Sequence, residues 1–239
     1  MSALPAASVA TLTSLPPGLV WTAGRLARPT RKGWTTGFPA LDAALPGDGW
    51  PRGAIIELIS AHPGIGEIHL LLPLLRRAPA DKWIAWVAPP CLPYAPALAS
   101  LDMPLSQLLL IDVPDHAGTI WATRQALASG ACHAVLAWNR HVDAAALRRL
   151  QLAAEESDTP LFLFRPPAAA RQPSPATLRL QLVAAHDGLD IVILKRRGPA
   201  AAHPIRISVN RRLNDLSSHA LDSPDPARLA PAGIHTQCG

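Results

Sequence analysis

The chain has 239 residues, 49% of them hydrophobic and 16% charged, with a formal net charge of +5 and a pI near 9.7. That length and apolar content can bury a substantial core and exclude a disordered or fibrous chain. No run of about 18 apolar residues occurs, and the opening segment lacks the basic start and unbroken apolar stretch of a signal peptide, so a cytoplasmic protein with no membrane contact is expected.

Cys91, Cys132 and Cys238 lie far apart with no C-x-x-C spacing, which predicts reduced thiols and neither a zinc site nor a disulfide framework. The basic balance is compatible with an acidic partner, nucleic acid or protein. An Arg-, Ala- and Pro-rich composition also follows from a GC-rich genome.

Residues 1–33 mix Pro, Ala, Ser and Thr, end in Arg25, Arg28, Arg31 and Lys32, and carry no sustained hydrophobic period, so a flexible N-terminal arm is expected. From Trp34 onward apolar runs of strand length alternate with amphipathic stretches of helix length, the signature of βαβ units around a parallel sheet buried on both faces. Strands are predicted at Ala54–Ile59, Trp83–Val87, Leu108–Ile111, His133–Trp138 and Leu161–Phe164, with helices at Ile68–Arg77, Pro93–Leu101, Gly118–Ser129 and Asp143–Ser157. Leu178–Ala184, Leu189–Lys195 and Ile205–Val209 alternate more, as antiparallel closing strands with one wetter face would. The expected organisation is therefore an arm over 1–33, an α/β core domain over 34–210 and a flexible tail over 211–239.

Directly after the first strand comes Ala61-His62-Pro63-Gly64-Ile65-Gly66-Glu67-Ile68, then an apolar helix, which is the geography of a phosphate-binding loop. A working loop needs glycines so that backbone amides wrap the phosphates, a lysine for their charge and a hydroxyl for Mg²⁺. Here Ala61 stands at the first glycine, Gly66 at the second, Glu67 at the lysine and Ile68 at the hydroxyl. A carboxylate about 4 Å from a phosphate costs roughly 4 kcal/mol at an effective dielectric near 20. No nucleotide or other cofactor is expected, and the simplest reading of Pro63, Gly64 and Gly66 is a strand-to-helix turn, with Glu67 favouring the helix dipole. Binding of an anion or atypical nucleotide through the loop amides is the alternative.

The stretch Trp34-Thr35-Thr36-Gly37-Phe38-Pro39-Ala40-Leu41-Asp42-Ala43-Ala44-Leu45, followed by Gly47-Asp48-Gly49-Trp50-Pro51-Arg52-Gly53-Ala54-Ile55-Ile56-Glu57-Leu58, resembles the start of the RecA core, in which a "T-G-x-x-x-L-D-x-x-L" segment, a Gly-rich turn and a "G-x-I-x-E" strand precede the phosphate loop. Tyr94 sits where that family places a tyrosine near the adenine, although packing at a rim is its simpler role, and Leu108–Asp115 is similar to the family's "N-L-L-x-x-Q-P-D" strand and turn. Gly130–Asn139 falls at the Walker B strand, and Leu194-Lys195-Arg196-Arg197 resembles a late basic strand. Pro89 and Pro90 stand where the resemblance calls for the catalytic glutamate, and Trp138 where it calls for the Mg²⁺-binding carboxylate. The chain thus resembles the ImuA family of RecA-like proteins over residues 34–210.

The resemblance implies an α/β, RecA-like (P-loop NTPase-type) core and no enzymatic activity. It further implies a role in SOS-induced translesion DNA synthesis beside an ImuB-type inactive Y-family polymerase and an error-prone replicative-type polymerase, with RecA as a further candidate partner and direct DNA contact open. A SulA-type division inhibitor and a DNA-dependent ATPase of unusual loop chemistry are the alternatives. Lys195, Arg196, Arg197, Arg206, Arg211 and Arg212 form the densest basic region, read either as a partner or DNA contact or as a solvated sheet edge. Trp21 in the arm is a candidate interface anchor. Gln107-Leu108-Leu109-Leu110-Ile111 looks like a sliding-clamp peptide, but its place in a predicted buried strand argues for core. The nine histidines show no ligand pairing on one helix, so no metal site is expected.

Overall fold

A computed structural model describes residues 32–198 and 203–208. Trp21, Arg211, Arg212, Cys238 and almost all of the expected arm and tail lie outside the described residues. Eight strands form one sheet: β1 (Ile55–Ile59), β2 (Trp83–Val87), β3 (Leu108–Ile111), β4 (Cys132–Trp138), β5 (Leu161–Arg165), β6 (Leu178–Ala185), β7 (Gly188–Lys195) and β8 (Ile205–Ser208), in the order β3-β2-β4-β5-β1-β6-β7-β8. Among the described residues five α-helices accompany them: α1 (Pro39–Ala44), α2 (Glu67–Leu75), α3 (Ala95–Ser100), α4 (His116–Ala128) and α5 (Ala144–Ser157).

Strands β1, β4 and β5 are apolar runs buried on both faces, as continuous hydrophobic strands in a parallel sheet must be. Alternate side chains of β1, β2, β4 and β5, among them Ile55, Val87, Val135, Ala137, Leu161 and Leu163, pack with Ala122, Ala126, Leu127, Leu147 and Leu150 of α4 and α5 in one cluster. The chain moves one way along the sheet from β1 to β2 to β3 and the other way from β3 to β4 to β5. Right-handed crossovers therefore place α2 and α3 on the face opposite α4 and α5.

Two expectations are corrected. Leu178–Ala184 was expected among the antiparallel closing strands, yet β6 pairs parallel with β1 and antiparallel only with β7. The short helical link Pro167–Arg171 carries the chain back to the starting end of the sheet, so β6 enters in the direction of β1. Only β7 and β8 continue antiparallel. Leu108–Ile111 was expected to be buried, but β3 is a terminal strand of the sheet and leaves Leu109 39% and Leu110 38% exposed. Burial therefore does not argue against the exposed reading of Gln107–Ile111.

The segment before β1 is fixed by Trp34 and Trp50, whose backbones exchange two hydrogen bonds of 2.9 and 2.6 Å. Asp42 of α1 accepts from Thr35 Oγ1 at 2.6 Å and from the Thr36 amide at 2.7 Å. Trp50 meets Phe162 of β5 edge-on, and the Arg52 guanidinium lies 4.3 Å from the centre of the Trp34 ring. Arg52 also donates to Asp158 at 2.6 Å, at the left-handed C-terminus of α5.

Candidate functional site: the cleft at the carboxyl ends of the strands

Where connections leave a parallel sheet in opposite directions, the loops beyond the strand ends separate and leave a crevice. Here that crevice is a cleft of about 420 Å³ lined by Ser60–Pro63 after β1, Ala88 and Pro90 after β2, Val113–His116 after β3, Trp138–Arg140 at the end of β4, and Phe164–Pro166 at the end of β5. Ala61, Pro63, Glu67, Pro90 and Trp138, singled out from scattered points of the sequence, all line it. Gly64 and Gly66 shape the turn beside it, Pro89 is half-buried next to Pro90, and Ile68 is half-buried in the first turn of α2.

The loop's own chemistry is closed internally. Gly64 (φ +80°) and Gly66 (φ +109°) take left-handed conformations, and the amides of both turn toward the same side chain. That side chain is the Glu67 carboxylate: Oε1 accepts from the Gly64 amide at 2.7 Å and Oε2 from the Gly66 amide at 3.1 Å. Glu67 is buried although it is the first residue of α2, where the helix dipole also favours its charge. In the loop expected to be a degenerate phosphate site, the Gly64 and Gly66 amides thus hold a carboxylate of the chain itself.

Trp138 stacks flat on Phe164, centroids 4.4 Å apart and 6° between planes, because β4 and β5 place these residues side by side in register. Trp86 of β2 leans on Trp138 from the other side at 5.6 Å. At the other wall Asp115 caps α4 by accepting from the Gly118 amide at 2.8 Å, and the buried Asn139 joins the β4 end to α4 through the His116 carbonyl. His116 and His141 meet edge-on at 5.2 Å. The cleft is therefore an aromatic-floored recess whose two carboxylates, Glu67 and Asp115, are both engaged with backbone amides. No group of three His, Cys, Asp or Glu able to hold a metal occurs among the described residues.

Sequence reasoning missed the buried charge cluster beneath this recess. Glu57, in the middle of β1, is fully buried and accepts from Arg165 Nη1 of β5 at 3.1 Å, from Arg179 Nε of β6 at 2.5 Å and from Ser174 Oγ at 2.7 Å. Arg165 Nη2 also reaches Gln172, and Arg179 reaches the Ala169 carbonyl. The only sequence signal was a carboxylate inside an apolar strand.

The basic region predicted late in the chain divides. Lys195 donates to the Ser174 carbonyl at 2.8 Å, Arg196 donates to the Ala44 carbonyl, and Arg206 forms a two-pronged pair with Asp190 across β7 and β8 at 2.7 Å. The Arg206 hydrogen bonds hold the Asp190 carboxyl below its usual range. Arg196 and Arg197 line a second, smaller cleft of about 220 Å³ with Arg52 and Glu155, at the opposite end of the parallel strands from the first.

A family profile described as "Cell division inhibitor SulA" matches residues 53–160. The chain is 30% identical over 119 residues to cell division inhibitor SulA of Photorhabdus laumondii, a match spanning 49% of this chain and 67% of that protein. It is 31% identical over 126 residues to protein ImuA of Caulobacter vibrioides, covering 50% of this chain and 52% of the relative. The match thus spans about half the length of that ImuA. Among solved structures, SulA from Pseudomonas aeruginosa aligns with 24% identity and a TM-score of 0.40, over 46% of this chain and 97% of that one. No described helix is long and apolar enough to cross a membrane. The turn at residues 61–68, helices α2 to α5 and the parts of the cleft contributed by β1 to β4 fall within the stretch that the profile matches, and the chain belongs to the family of SulA- and ImuA-related proteins.

Proposed function

We propose that the chain is a non-catalytic RecA-like accessory protein of SOS-induced translesion DNA synthesis, an adaptor acting with an ImuB-type inactive polymerase and an error-prone replicative-type polymerase. The observation that carries the non-catalytic part is the Glu67 carboxylate seated on the Gly64 and Gly66 amides. A nucleotide would have to displace a charged, intramolecular ligand with no lysine to offset the exchange. Pro90 and Trp138 line the same recess, so the positions read as water-polarising and metal-binding lie beside the loop and carry neither chemistry. The ImuA relative and the resemblance of residues 34–210 support the cellular role.

A ligand that binds only the folded state raises stability by RT ln(1 + [L]/Kd). Millimolar ATP with Mg²⁺ is accordingly expected to leave the melting temperature unchanged, and purified protein with single-stranded DNA is expected to show no ATP turnover. A reproducible rise, or turnover abolished by Gly66→Ala, would overturn the reading. A second reading, a division inhibitor, is favoured by the SulA profile over residues 53–160. Overproduction separates the two: filamentous cells with unaltered damage-induced mutation support the inhibitor, and lost mutagenesis on deletion with normal division supports the adaptor.

A further inference from the structure

Helices α4 and α5 lie side by side over the sheet, each following a parallel strand and so running in the same direction. Each buries one stripe, Thr119, Ala122, Thr123, Ala126 and Leu127 on α4, and Ala146, Leu147, Leu150, Ala153 and Ala154 on α5. The opposite stripe of a solvated helix ordinarily mixes charges of both signs. Here it does not. On α4 the exposed stripe holds Trp121, 63% exposed, with Arg124 one turn further on, and α4 contains no acidic residue. On α5 it holds Arg148, Arg149 and Leu152, the last 57% exposed, and the helix's acids, Glu155 and Glu156, come only in its last turn. Among the described residues no ion pair involves Arg124, Arg148 or Arg149. Trp121, Arg124, Arg148, Arg149 and Leu152 line neither cleft.

An exposed indole and unneutralised guanidinium groups on two adjacent helices are residue types enriched at protein interfaces, and the exposed Leu152 adds apolar surface. The charges define the partner's sign, and the apolar pair defines its anchor. We propose that this face of α4 and α5 docks an acidic protein segment carrying an aliphatic or aromatic residue, the anchor seating on Trp121 and Leu152 and the carboxylates pairing with Arg124, Arg148 and Arg149. A nucleic acid fits less well. Only one aromatic side chain here offers a stacking plane for bases. The proposal does not depend on the reading of the loop, since it concerns a different surface.

Fluorescence anisotropy of the full chain with a labelled peptide of alternating acidic and leucine residues tests it, against the same peptide with Asn and Gln for Asp and Glu, and against oligo-dT. The acidic peptide is expected to bind and the amide peptide not to. R148E/R149E and W121A are each expected to weaken binding by about tenfold or more, with melting temperatures like the wild type. R77E, which reverses an exposed arginine elsewhere, is expected to change it little. Failure of the acidic peptide to bind, or an equal loss in R77E, would overturn the proposal. So would oligo-dT binding that exceeds the peptide's and is lost in the same variants, which would make the face a nucleic-acid surface.

Discussion

A carboxylate within reach of two loop amides satisfies them before any external anion arrives, and Glu67 is placed to do so by its position three residues after Gly64. The spacing echoes the reciprocal capping of helix starts, in which an acidic side chain folds back onto an earlier amide. Glu67→Ala is therefore expected to cost about 1–3 kcal/mol, because two amides lose a charged acceptor. It should also leave an open anion site that sulfate fills, so sulfate is expected to stabilise the variant more than the wild type, compared by urea midpoints against chloride at matched ionic strength. An equal response of both proteins to sulfate would refute that account of the loop. Glu57 works differently, since its partners are also buried. Glu57→Gln leaves Arg165 and Arg179 with no counter-charge inside the sheet. A loss of about 3–5 kcal/mol is expected, as when one member of a buried pair is removed, and chemical denaturation would measure it.

Elements are held by contacts that no single segment announces. Gly37 has φ +84°, and a Cβ there would fall 2.5 Å from Cβ of Pro73, inside α2. Gly37→Ala is expected to destabilise by about 1–3 kcal/mol, through both the strained backbone and the clash that overpacking brings; a thermal midpoint within error of the wild type would show that α2 yields instead. The elements themselves were legible. Apolar runs such as Trp83–Val87 and Leu161–Phe164 can be little other than buried strands, and their observed bounds lie within a residue of those expected. What the sequence did not carry was strand order, and two errors follow from that one gap. A run such as LLLI reads as core until β3 is known to end the sheet, and β6 reads as antiparallel until it is known to lie beside β1. The site was legible where it is local, as at Glu67. It was not where it is assembled, since Trp138 meets Phe164 only through register, and Glu57 finds Arg165 and Arg179 across 108 and 122 residues.

At the scale of the whole molecule, the titratable groups shifted by burial are expected to make stability depend on pH. Burial between the elements pushes His69 and His133 below their ordinary value of 6.5, and His133 donates Nε2–H to the Leu74 carbonyl, tying β4 to α2. A histidine with a depressed folded pKa takes up its proton more readily in the unfolded chain, so its contribution is complete above about pH 6.5 and falls as the pH drops through that value. Cys132 acts at the other limit. Burial raises its thiol, so stability is complete below the unfolded thiol's range and declines as alkali ionises the unfolded chain first. The Asp190–Arg206 pair is exposed and enters only in acid well below the histidine range. Maximal stability is thus expected between about pH 6.5 and 8.5, with a lower urea midpoint at about pH 5.5 than at about pH 7.5, a difference in which these histidines take part. The double variant His69→Gln/His133→Gln keeps a donor for Leu74 and removes both titrations, so its midpoint should fall less over the same interval. If it falls as steeply as the wild type's, the acid limb belongs to other groups and the two histidines are only packing.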